Sequence, residues 1–96
     1  MDVRVVQEAA RQGHAIKAPN YHAGRRGVSF LQILEALERC YHVAPDDRPG
    51  VAGHAAHPNG WFALANLPNR RRLRVDFDVL QDQDGTLLLV VTAYDT

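Results

Sequence analysis

His22, Arg72, Arg74 and Tyr94 are the side chains here whose types suit cleavage of a phosphodiester without a metal. In that reaction a base takes the proton of a ribose 2′-OH, and the oxygen attacks the adjacent phosphorus. An acid then protonates the leaving 5′ oxygen, while cations answer the charge that builds at phosphorus. His22 or Tyr94 is the candidate acid or base, a role typically worth about 10²–10⁴-fold. Arg72 and Arg74 are the candidate catalytic clamp, and Arg25, Arg26, Arg70 and Arg71 are candidate contacts to RNA or phosphate. The need for a 2′-OH would make the chemistry selective for RNA.

Each of these residues also has a plain structural use. His22 can cap a helix or satisfy a loop backbone, and Arg25 and Arg26 can be solvated cations before a helix. Arg72 and Arg74 alternate toward the same strand face as Asp76 and Asp78, so ion pairs explain them too. His54-Ala55-Ala56-His57 has the spacing of a two-histidine ligand face. Its surroundings hold Pro49, Pro58 and glycines rather than a helix, and no nearby Cys or carboxylate completes a tetrahedral set. Neither a metal nor any other cofactor is expected. Cys40 has no base partner and reads as core.

The elements that must position these groups follow from periodicity. Asp2 caps a first helix ending near Gln12, with Val3, Val6 and Ala10 on one stripe and Gly13 as its left-handed terminator. His14–Ala18 reads as a short strand before the turn at Pro19-Asn20. Ser29 caps a second helix, Gln32 completes a capping box, and Val28 with Ile33 forms a staple. Phe30, Ile33, Leu34 and Leu37 make its core stripe. Beyond it, Cys40–Val43 reads as a strand, 50–60 as a long irregular loop, and Trp61–Leu67 as a second strand. Arg70–Leu80 is the cleanest strand, with Leu73, Val75, Phe77 and Val79 opposed to Arg72, Arg74, Asp76 and Asp78. Gln81–Gly85 reads as a hairpin loop. Leu87–Ala93, apolar on both faces, reads as a central strand. Trp61 and Phe62 point to opposite faces, one of them core.

Assembled, these predict an α+β fold, with two N-terminal helices packed on one face of a meandering, mostly antiparallel four-stranded sheet. Residues 1–96 make a single domain by length. Eleven Lys and Arg balance eleven Asp and Glu, so the net charge is zero and generic polyanion coating is not favoured. Ten of those cations are arginine, suited to forked contacts with phosphate or carboxylate. No apolar run approaches the roughly 20 residues of a membrane span, so no membrane partner is expected. One cysteine and no leader-like N-terminus point to the cytoplasm.

The order of these motifs resembles family 4258 of the domains of unknown function. The shared features are an N-terminal helix, His22-Ala23 followed by Arg26-Gly27-Val28-Ser29, a second helix, and strands closing on Thr92-Ala93-Tyr94. That family is similar to the BrnT and RelE group of toxin ribonucleases. The resemblance implies a helices-then-sheet fold of the RelE/BrnT kind, metal-independent endoribonuclease activity, and a cognate antitoxin protein as partner. The family's stretch between the histidine and the Arg-Gly is longer than the three residues Ala23–Arg25 found here. The alternative is a non-catalytic module binding protein or nucleic acid through the arginine-rich sheet face. A third expectation is a homodimer through a sheet edge at Trp61–Leu67.

Overall fold

The computed structural model describes residues 1–46 and 60–96. The irregular loop expected over 50–60, and His54 and His57 within it, fall largely or wholly outside these residues. The chain runs through α1 (Val3–Arg11), β1 (Ala15–Lys17), a 3-10 turn (Ala23–Arg26) and α2 (Phe30–Arg39). It continues through β2 (His42–Pro45), β3 (Gly60–Asn66), a second 3-10 turn (Pro68–Arg70), β4 (Arg72–Asp82) and β5 (Gly85–Asp95). The fold is α+β: two helices and one mixed sheet in the order β1-β5-β4-β3-β2.

Both helices form where their capping chemistry places them. The Asp2 carboxylate accepts from the Arg4 N–H at 2.8 Å, and Gly13 ends α1 with φ 77°. Ser29 Oγ accepts from Gln32 N–H, while Gln32 Oε1 accepts from Ser29 N–H, a complete capping box. The helices then bury Val6, Ala9, Ala10, Ile33, Ala36 and Leu37 against Ala63, Ala65, Leu73, Val75, Phe77, Leu88, Val90 and Ala93. Those strand residues all belong to one face of the sheet, so the core is a single helix-on-sheet layer.

Four expectations are corrected. The sheet has five strands rather than four, because Ala15–Lys17 joins it parallel to β5, with Ala15 opposite Leu88. Residues 40 and 41 precede the strand: Cys40 caps the end of α2, its carbonyl accepting from Gln7 Nε2 at 2.9 Å, and β2 starts at His42. The β4–β5 hairpin is tighter than the five-residue loop, since Gln81 pairs Thr86 and Asp82 pairs Gly85, leaving Gln83-Asp84 as the turn. Strand β3 is not an edge, because β2 pairs it on one side and β4 on the other.

A bulge in β5 at Val91, between the pairs Asp76–Thr92 and Phe77–Val90, interrupts the β4–β5 register. The Val91 carbonyl accepts from the His22 N–H at 3.0 Å. No helix among the described residues is long and apolar enough to cross a membrane.

Candidate functional site

The register assembles a second face, turned away from the helices. Arg74 lies between Leu64 on β3 and Tyr94 on β5, and Asp76 lies between Phe62 and Thr92. The Arg74 guanidinium stacks 4.0 Å from the centre of the Phe62 ring and lies 5.9 Å from that of Tyr94. Its Nε donates to Asp76 Oδ1 at 2.8 Å, and its Nη2 lies 3.5 Å from Asp46 Oδ1 without making a hydrogen bond. The three side chains are 16%, 11% and 10% exposed, so this is a largely buried ion-pair cluster. Thr92 Oγ1, across from Asp76, is buried without a hydrogen-bond partner among the described residues. His42, on β2, lies 5.8 Å from the Phe62 ring, centre to centre.

The four arginines of the 70–74 run have four different situations. Arg71 grips Asp95 through both carboxylate oxygens, at 2.7 and 3.2 Å. These hydrogen bonds hold the Asp95 carboxyl below its usual pKa and raise that of Arg71. Arg74 is enclosed by its acids and rings. The side chains of Arg72, at the start of β4, and of Arg70, in the turn with φ 63°, are exposed and make no hydrogen bond or ion pair among the described residues. Asn69 shares the left-handed backbone at φ 67°, which turns the chain sharply and presents Arg70 to solvent.

Of the sequence-predicted residues, Arg74 and Tyr94 are the pair brought into direct register. His22 joins β5 at Val91, three residues or about 10 Å along that strand from Tyr94. Arg74 lies one strand further, on β4. His22 Nδ1 lies 3.0 Å from the Asn20 carbonyl. A carbonyl only accepts, so Nδ1 carries the proton and Nε2 is the basic nitrogen. Arg25 and Arg26 occupy the 3-10 turn that follows, and their side chains lie outside the description. Among the predicted residues whose side chains are described, the register sets Arg74 beside Tyr94, while His22 attaches to β5 at the Val91 bulge. No group of three or more His, Cys, Asp or Glu among the described residues could hold a metal ion.

Sequence reasoning missed a groove of about 480 Å³ between α1 and the tip of the β4–β5 hairpin. Arg4 and Arg11 stand on its helical wall, Asp84 and Thr86 on the hairpin wall, and His14 at their junction. The helical spacing of Arg4, Glu8 and Arg11 could have flagged that wall, since four and three residues apart they share one side of α1. The hairpin wall is tertiary and leaves no such mark. Compared with protein-family models, with curated proteins and with solved structures, the chain matches none.

Proposed function

We propose that the chain is a non-catalytic binding module that holds an acidic, partly apolar segment of another protein on the second face of its sheet. One observation carries this: the arginine run divides into cations already answered inside the fold, Arg71 and Arg74, and exposed ones whose side chains have no partner among the described residues, Arg70 and Arg72. Two such cations suit two carboxylates. They suit RNA poorly, since nucleic-acid affinity grows with each phosphate neutralised and proteins that rely on it make on the order of 6–10 such contacts. On the same face, towards the hairpin, Ile16 and Leu80 are 45% and 49% exposed, and Leu87 and Leu89 lie partly exposed beside them. From Arg72 to Leu80 is about 26 Å along β4, the span of an ordinary protein interface.

The antitoxin implied by the family resemblance is one form such a segment could take. The RelE/BrnT-like assignment of the fold and a cytoplasmic setting, consistent with the lone buried Cys40, belong to this proposal.

The second reading is a toxin-like, metal-independent endoribonuclease. It is favoured by His22, whose Nδ1 is anchored and whose Nε2 is available as a base, and by the Arg74–Tyr94 pairing. Against it stands Arg74, which would have to leave Asp76 and Asp46 before it could clamp a phosphate.

The test is fluorescence anisotropy with a labelled peptide of alternating Glu and Leu, compared with a labelled single-stranded RNA. The module reading expects peptide binding that the double reversal Arg70→Glu/Arg72→Glu abolishes, and little RNA binding. Equal peptide affinity in wild type and variant overturns it.

A further inference from the structure

We propose that the groove between α1 and the β4–β5 hairpin is a binding site for a small zwitterion, a free amino acid or short peptide with one carboxylate and one ammonium group. The site is separate from the sheet face and does not depend on the reading given to that face.

The two walls of the groove carry opposite charges. The helical wall carries Arg4 and Arg11 with Glu8 between them. Their present partners are loose: Arg4 is 4.0 Å from Asp2, and Arg11 is 3.6 Å from Glu8, all on exposed side chains. Exposed pairs of this kind contribute little and exchange readily. Glu8 is further occupied by accepting from Gln12 Nε2 at 2.9 Å. The wall therefore offers guanidinium donors to a carboxylate.

The hairpin wall has the opposite sign. Asp82 Oδ1 is taken up by the Asp84 N–H at 2.8 Å, which closes the turn. That leaves the Asp84 carboxylate, which makes no hydrogen bond or ion pair among the described residues. His14 stands where the walls meet, with its backbone fixed on both sides: its N–H donates to the Ala9 carbonyl and its own carbonyl accepts from Leu88 N–H, each at 2.8 Å. The imidazole makes no hydrogen bond among the described residues and lines the groove. Val5 and Ala9, one helical turn apart, supply an apolar strip between the charged groups.

Cations on one side, a free carboxylate on the other and an apolar floor between them match a ligand with charges at both ends. A simple anion would meet Asp84, and a simple cation would meet the arginines. The volume of about 480 Å³ falls within the range of small-molecule sites.

The experiment is a ¹H–¹⁵N NMR titration with glycyl-leucine at millimolar concentration, beside its N-acetylated and C-amidated forms. The uncapped dipeptide should shift amides of residues 4–14 and 84–86, and each capped form should bind about tenfold more weakly. Asp84→Asn and Arg11→Gln, both exposed changes that leave the fold intact, should each weaken binding by a similar factor. Equal binding by the capped forms, shifts confined to other parts of the chain, or no shift at all would overturn the proposal.

Discussion

Arg74 shows how one side chain can be read as chemistry and also sit inside an ion-pair cluster. Its guanidinium lies between a ring and two carboxylates, all mostly shielded from water. Removing it takes a counter-charge from two largely buried carboxylates, so Arg74→Ala should lower stability by about 3 kcal/mol, read as a fall in the urea midpoint. Thr92 is the opposite case. Its hydroxyl is buried without a partner among the described residues, so the isosteric Thr92→Val should raise stability by about 1 kcal/mol in the same measurement. A destabilised Thr92→Val would mean that the hydroxyl is satisfied in solution. Burial also pushes the Cys40 thiol up from 9.0 to about 11. The folded state then keeps its proton where the unfolded state has lost it. This contribution to stability is therefore full below about pH 9 and is lost as pH rises toward about 11. At pH 8, iodoacetamide should alkylate Cys40 at a rate that follows urea-induced unfolding, and rapid labelling of native protein would contradict its burial. Alternation revealed that Arg72, Arg74, Asp76 and Asp78 share a face. It could not show that Arg74 is enclosed and Arg72 free, because enclosure depends on Phe62 and Asp46, which meet Arg74 only through tertiary structure.

At the scale of elements, Gly85 offers the sharpest test. It opens β5 at φ 115°, and an added Cβ there would meet nothing within 4 Å. The whole cost of Gly85→Ala is thus backbone strain, about 1–3 kcal/mol, and the melting temperature should fall accordingly. An unchanged melting temperature would mean that the Gln83-Asp84 turn adopts another conformation. The α2 helix was legible down to its cap because Ser29, Gln32 and the Ile33–Leu37 stripe are local signals written within three turns. Strand β4 was legible by its period of two, though it begins two residues later than the sequence suggested, the turn at Asn69 and Arg70 taking the chain's first step. Strand β1 joins through a parallel partner more than 70 residues away. Three residues carry too little alternation to announce such a pairing. The bulge at Val91 was equally silent, because a run apolar on both faces does not show which residue is the extra one.

Among the described residues the sheet has two edge strands, and both are guarded. Strand β1 is three residues long and ends in Lys17, and β2 ends in Pro45, which has no N–H to offer. Self-association by strand pairing is therefore unfavoured, and sedimentation velocity should give a monomer whose coefficient does not change with concentration. A dimer that dissociates on dilution would return weight to the edge. Zero net charge had already signalled, from composition alone, that any polyanion contact must come from a local patch. Among residues 70–74 the exposed arginine side chains are Arg70 and Arg72, and His22 is tied to β5 at Val91. A sheet face that binds without cleaving can be checked by incubating labelled single-stranded RNA with the protein in EDTA, beside His22→Ala and Tyr94→Phe. Intact RNA is expected in every lane. Cleavage by the wild type that either substitution abolishes would contradict it and establish the nuclease reading in its place.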